Sequence, residues 1–198
     1  MKKRIFLVFL IICFLINTFL VITNKTATVD IYFHNILYKD NMPYIESFMK
    51  FITFFGSSIF MIFLVILLML IFIKNKRIKG FDIAGVMIIS TLLNNAIKLI
   101  IKRPRPEYIT VVEKSFSYPS GHTMASTSLY LLLSYFIYKS NLDKKYKILL
   151  ISFLIILTLL IIISRIYLGA HYFSDVFGGF LLSLIILLCY VIYREKRV

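Results

Sequence analysis

Ser164-Arg165-Ile166-Tyr167-Leu168-Gly169-Ala170-His171-Tyr172-Phe173-Ser174-Asp175 lies between two apolar runs, Ile148–Ile163 and Val176–Tyr193. It gathers a cation, an imidazole and a carboxylate into one short link of a chain that otherwise avoids charge. Such groups are costly beside hydrocarbon, so a cluster of them marks function by default. On a helix through His171, Asp175 is the i+4 neighbour and its carboxylate comes within reach of one ring nitrogen. That contact fixes the tautomer and leaves the other nitrogen free to attack. A polar loop whose ion pair merely satisfies a helix end would use the same residues, so the rest of the chain has to decide.

Six apolar runs can be marked outward from this link: Ile5–Ile22, Phe51–Ile73, Phe81–Ile101, Thr123–Tyr138, Ile148–Ile163 and Val176–Tyr193. A span takes about 17–25 predominantly apolar residues; the second and third runs fit outright, and the fourth and fifth need a turn from their flanks. The chain is 60% hydrophobic and 16% charged, with a mean hydropathy of +0.90. Soluble domains are about 45–50% apolar and about 25% charged. The sequence therefore predicts an all-α polytopic membrane protein with six transmembrane helices, a single membrane domain over residues 1–198. Between the first two runs, Thr28–Lys50 is too polar to span, and Ile31, Ile36, Tyr44, Ile45 and Phe48 predict a short helix at the interface. His34 within it reads as structural. Gly56-Ser57-Ser58 and Gly178-Gly179 read as close helix packing.

A net charge of +14 would suggest nucleic acid in a soluble protein. Here the bilayer is the expected surrounding, with no nucleic-acid partner, because the cations gather at one face of the apolar runs. Lys2, Lys3, Arg4, Lys74, Lys76, Arg77, Lys79, Lys139, Lys144, Lys145, Lys147, Arg194, Lys196 and Arg197 fall on one side, which the positive-inside rule makes cytoplasmic. Both termini are then cytoplasmic, and Lys102–His122 and Ser164–Asp175 face outward. No small-residue cleavage site follows Ile22, so the first run reads as a retained span, not a signal peptide. Cys13 and Cys189, far apart inside apolar runs, support neither a disulfide framework nor a metal site.

Two further clusters share the outer face. Asn94, Asn95 and Lys98 put polar groups on one side of the third run, and Lys98 lies within its hydrophobic register. Lys102-Arg103-Pro104-Arg105-Pro106 follows, its prolines holding cations in a non-helical presentation. Lys102 and Arg103 fit a basic membrane-surface anchor. Tyr118-Pro119-Ser120-Gly121-His122-Thr123 opens the fourth run, where unpaired backbone N–H groups and the helix dipole form an anion site. Gly121 admits an anion to the backbone, Ser120 offers a hydroxyl and His122 a proton. The inventory suits phosphoryl transfer, whose spreading negative charge needs several fixed donors and cations. Two-metal hydrolysis needs clustered carboxylates, whereas only Glu107, Glu113 and Asp175 lie near these motifs, so no metal and no cofactor are expected.

The ordered patterns K-x6-R-P (Lys98 to Pro106), P-S-G-H (Pro119 to His122) and S-R-x5-H-x3-D (Ser164 to Asp175) resemble the type 2 phosphatidic acid phosphatase superfamily, which includes bacterial lipid phosphatases and, more distantly, vanadium haloperoxidases. The resemblance covers essentially the whole chain. It implies that His171 attacks phosphorus to form a phosphohistidine, that Asp175 orients His171, and that His122 protonates the leaving oxygen. It also implies that Lys98, Arg105, Ser120, Gly121 and Arg165 hold the phosphate without a metal. The substrate expected from it is a membrane lipid phosphate at the outer leaflet: undecaprenyl pyrophosphate, phosphatidylglycerol phosphate or phosphatidic acid, with the first two favoured. A non-catalytic lipid-phosphate binding or transport protein would keep the pocket but would not require His122, His171 and Asp175. A haloperoxidase would have to oxidise halide with bound vanadate.

Overall fold

The computed structural model describes residues 1–38, 42–72, 77–107, 110–111 and 113–196. Among them the chain forms eight helices and no strand: α1 (Lys2–Ile22), α2 (Ala27–Leu37), α3 (Pro43–Phe54), α4 (Ser58–Phe72), α5 (Arg77–Ile101), α6 (Gly121–Tyr138), α7 (Lys144–Tyr167) and α8 (Phe173–Glu195). Lys74, Lys76 and Arg197, counted above among the cytoplasmic cations, lie outside the described residues.

Four of these helices, α1, α5, α7 and α8, are long and apolar enough to cross a membrane, and α3 with α4 would add a fifth as one bent pair. Outward side chains such as Phe6, Phe9, Leu15 and Phe19 on α1 are exposed, as a lipid-facing surface requires. The expected sixth span, α6, has 18 residues and buries Thr123, Ser126, Thr127, Ser128 and Ser134. It packs against α5, α7 and α8, and its hydroxyls are answered inside, Ser126 Oγ donating to His122 O at 2.8 Å and Ser128 Oγ to Ser90 Oγ at 3.2 Å. A central helix enclosed by others needs no lipid-facing stripe. Its apolarity is low because of where it sits.

Two boundaries differ from those read in the sequence. Phe51–Ile73 is not one continuous helix: the chain breaks between Phe54 and Ser58 and bends by 41°. Gly and Ser at a break are a usual cause of kinks, and a Cβ on Gly56 would lie 2.8 Å from Ile161 Cγ2. The small residues thus allow both the kink and the approach to α7. The polar segment Thr28–Lys50 is likewise not one helix. It is split, with α2 ending at Leu37 and Pro43 standing at the start of α3. Proline at that position loses no intrahelical bond and has the helical φ already set. Tyr44, Ile45 and Phe48 therefore belong to the bent pair.

The C-terminal ends of α5 and α7 meet the N-terminal ends of α6 and α8: Asn94 donates to Pro119 O at 3.0 Å, Ser120 N to Asp175 O at 3.1 Å and His171 N to Arg165 O at 3.2 Å. Gly178 and Gly179 permit this closure, since a Cβ would lie 2.6 Å from Tyr118 Oη or 2.9 Å from Ser120 O. Asn17 on α1 ties in as well, donating to Tyr118 Oη at 3.2 Å and to Ser174 O at 3.1 Å.

Candidate active site

The four converging ends enclose a cavity of about 230 Å³ whose lining includes Lys98, Arg105, Glu113, Gly121, His122 and His171. Each comes from a different local rule. Lys98 stands in the last turn of α5, where a cation meets the negative end of the helix dipole. Arg105 lies beyond that helix, in the proline-bounded segment. Gly121 and His122 open α6. His171 sits in the short link before α8, its backbone N–H bonded to Arg165 O at 3.2 Å.

His171 is buried and held at both nitrogens. Nδ1 faces Asp175 Oδ2 and Ser117 Oγ, each at 3.4 Å, and Nε2 lies 3.2 Å from Arg105 Nη1. A guanidinium only donates, so Nε2 must accept, and the ring proton stays on Nδ1 toward the carboxylate. Burial, then the charges of Arg165, Arg105 and Lys98, hold this imidazole well below the usual histidine pKa of 6.5. The ring is therefore neutral at neutral pH, with its lone pair at Nε2, toward Arg105.

Asp175 is fully enclosed and its two oxygens are divided. Oδ2 accepts from Ser117 Oγ and from Tyr172 N at 3.0 Å, the second bond being the reach-back of a capping box. Oδ1 accepts from Arg103 Nη1 at 2.5 Å. Arg103 is thus not the surface anchor expected from the sequence. Its side chain is 11% exposed and bridges Asp175 to Asp30. Burial works against its charge, but Asp175 and Asp30 outweigh that and push its pKa above the usual arginine value.

The three cations expected to hold phosphate all contact one stretch, residues 113–117. Arg165 pairs with Glu113 through Nη2 and donates to Thr53 Oγ1 at 2.7 Å through Nη1. Arg105 donates to Ser115 O at 2.8 Å and reaches Glu113 Oε2 at 3.5 Å. Lys98 donates to Phe116 O. Arg165 Nε is buried and has no partner among the described residues. Glu113 also stands 4.0 Å from His122 Nδ1. Sequence reasoning missed Glu113, Ser117, Thr53, Asp30 and the inward role of Arg103. Only the motif position of Arg103, two residues before Arg105, could have drawn notice.

Of the expected site residues, Lys98, Arg105, Gly121, His122 and His171 line the cavity, with Arg165 and Asp175 directly behind Glu113 and His171. Ser120 does not line it. It is fully buried as the N-cap of α6, its hydroxyl accepting from Thr123 N at 3.4 Å and from Thr123 Oγ1 at 3.0 Å. Asn94, on the polar face of α5, fixes this turn by donating to Pro119 O at 3.0 Å. Three of the cavity-lining residues, Ser58, Thr91 and Ala125, also line an apolar groove of about 380 Å³ between α4, α5 and α6.

Residues 79–198 match the sequence model of the PAP2 superfamily. Phosphatidylglycerophosphatase B of Bacillus subtilis (strain 168) is 32% identical over 195 residues, covering 97% of this chain and 94% of that protein. Among solved structures, a transmembrane PAP2-type phosphatidylglycerolphosphate phosphatase from Bacillus subtilis superposes with a TM-score of 0.88 at 32% identity, covering 99% of this chain and 98% of the other. LpxE of Aquifex aeolicus gives a TM-score of 0.65 at 24% identity over 83% of this chain and 94% of its own. The second likeness concerns the fold alone.

Proposed function

The chain belongs to the PAP2 superfamily and is a membrane lipid phosphatase, and from that premise we propose that it hydrolyses the phosphomonoester of phosphatidylglycerol phosphate. The observation that carries an amphiphilic substrate is that Ser58, Thr91 and Ala125 line both the polar cavity and the apolar groove. A head group in the first and an acyl chain in the second is the division an amphiphilic phosphate requires. Phosphatidylglycerol phosphate is preferred over undecaprenyl pyrophosphate and phosphatidic acid because the similar Bacillus proteins carry that substrate in their names.

In the proposed reaction, the lone pair of His171 Nε2 attacks phosphorus as the bond to the leaving alkoxide oxygen breaks. His122 gives that oxygen a proton and releases the lipid alcohol. Water then attacks the phosphohistidine, His122 takes its proton, and inorganic phosphate leaves with His171 restored. Asp175 holds the proton on Nδ1 and stabilises the positive charge the ring gains on phosphorylation, as a carboxylate does behind a catalytic imidazole. Lys98, Arg105, Arg165 and the backbone at Gly121 neutralise the equatorial oxygens. The orphaned Arg165 Nε supports such a role, because a buried donor without a partner is costly. Ser120 acts by capping α6 and so fixing those backbone donors. We place all of this on the extracytoplasmic face, with six spans and both termini cytoplasmic, on the Lys/Arg distribution.

The test is phosphate release by purified protein from the three lipids, with and without EDTA. The expected result is EDTA-insensitive turnover, fastest on phosphatidylglycerol phosphate. Preference for undecaprenyl pyrophosphate would correct the substrate, and no release from any of the three would overturn the enzyme.

A further inference from the structure

Lys102 takes a left-handed backbone, φ 51°, just past the end of α5, and the chain turns so that Arg103 points inward. The Arg103 guanidinium is then used at both ends of its fork. Nη1 donates to Asp175 Oδ1 at 2.5 Å and to Ser174 Oγ at 2.7 Å. Nη2 donates to Asp30 Oδ2 at 2.8 Å and to Thr26 Oγ1 at 3.1 Å. The Tyr172 ring covers its flat face, with Cζ 4.1 Å from the centroid. Asp30, on α2, is itself buried and also accepts from Ser174 N at 2.8 Å. One acid of α2 therefore holds both the arginine and the first turn of α8.

We propose that Arg103, held by Asp30, is a positioning residue of the phosphatase reaction: it fixes the Asp175 carboxylate so that Oδ2 alone faces His171. This rests on the reading of His171 as the nucleophile. Arginine is the residue type required, since a planar fork meets two carboxylates at once while an ammonium meets them as a point charge. Asp30 has a second consequence. Arg103 against Asp175 alone would leave no net charge behind the imidazole. Two carboxylates against one guanidinium leave a net charge of −1, available when the ring turns positive on phosphorylation. The short helix between the first two spans is thus part of the catalytic support.

The experiment is a double-mutant cycle on the full chain in lipid–detergent micelles with phosphatidylglycerol phosphate. Arg103→Gln and Asp30→Asn should each lower kcat by about 10–100-fold, the scale of a small misplacement at the reacting atoms, with KM within about twofold of wild type. Arg103→Lys should recover part of the loss. In the Asp175→Asn background, Arg103→Gln should cost less than about twofold more, because coupled residues are not additive. Losses that multiply with Asp175→Asn, or a folded Arg103→Gln as fast as wild type, would overturn the proposal. If Arg103→Gln does not fold, Asp30→Asn and Arg103→Lys are read in the same cycle with the same criteria. A wild type that releases no phosphate from any lipid overturns the phosphatase reading beneath it, an outcome distinct from a working enzyme indifferent to Arg103.

Discussion

Arg105 Nη1 stands 3.2 Å from His171 Nε2, so the cation proposed to receive the phosphate already contacts the nitrogen proposed to attack it. Arg105→Ala removes both a phosphate donor and the group that keeps the lone pair at Nε2. The expected loss in kcat/KM is about 10²–10³, or about 2.7–4 kcal/mol, as for other donors to a developing oxyanion. Lys102 is the internal control, exposed and three residues away; Lys102→Asn suits its positive φ and should stay near wild type. Equal losses at both positions in a lipid-phosphate assay would sink the assignment within this segment.

Glu113 places a carboxylate where the phosphate should go, against Arg165 and Arg105. Glu113→Gln keeps the shape and removes the competing charge. Inhibition by inorganic phosphate should tighten by about tenfold, equivalent to about 1.4 kcal/mol. Inhibition constants for phosphate in the two proteins decide it, and an unchanged or weaker constant would mean that Glu113 supports phosphate and does not compete with it.

The site motifs were legible because their information is local: Asp175 lies four residues after His171 and reaches its ring, although His171 precedes α8 and is not on a helix as expected, and Pro119-Ser120-Gly121 opens α6. Arg103 was not legible. It and Arg105 precede proline in the same way, and what separates them is a partner on α2, Asp30, which only the tertiary fold brings near. Glu113 lies in a segment without periodicity, so no pattern aims it at Arg165. Ser120 was ambiguous for a physical reason, since a hydroxyl at a helix start can serve a ligand or the cap. Gly56 posed the same difficulty, as small residues permit either close packing or a kink, and here they do both. The low apolarity of α6 follows from its enclosure by other helices, a tertiary circumstance its composition alone does not reveal.

Topology makes a separate prediction. Glu107 follows α5 and Lys144 begins α7, with α6 alone between them, so they should lie on opposite sides if α6 spans. A reporter fused at Glu107 should be extracytoplasmic and one at Lys144 cytoplasmic, in keeping with the clustered lysines there. Both reporters on one side would remove α6 from the span count and move the site.

The lowered pKa of His171 fixes the sign of a pH effect. A group whose pKa is depressed keeps its neutral, nucleophilic form as pH falls through 6.5, and loses it only further down. The substrate's own second phosphate ionisation also falls in this range, so two substrates with different phosphate pKa values are needed. In kcat/KM profiles of His122→Ala, where the second imidazole no longer titrates, any limb near 6.5 should move with the substrate. A limb near 6.5 common to both substrates in that variant would show that His171 titrates at its ordinary value and that its burial has been misread.

His122 and His171 line one cavity but have unlike surroundings, and this separates their roles. Only His171 has a carboxylate behind Nδ1 and a guanidinium at Nε2, the pairing expected of a nucleophile. His122 has Glu113 Oε1 at 4.0 Å from Nδ1, and the role left to it in the proposed reaction is the proton donor. His171→Ala should therefore abolish turnover and leave no acid-labile phosphate on the protein. His122→Ala should lose about 10²–10⁴-fold on lipid substrates, the usual worth of general acid–base catalysis. That loss should shrink on a nitrophenyl phosphate, whose leaving oxygen departs without needing a proton. The measurement is phosphate trapped on wild type and both variants during turnover, alongside rates on the two substrates. Labelled phosphohistidine persisting in His171→Ala would reverse the assignment, and a His122→Ala defect equally large on both substrates would take the proton from His122.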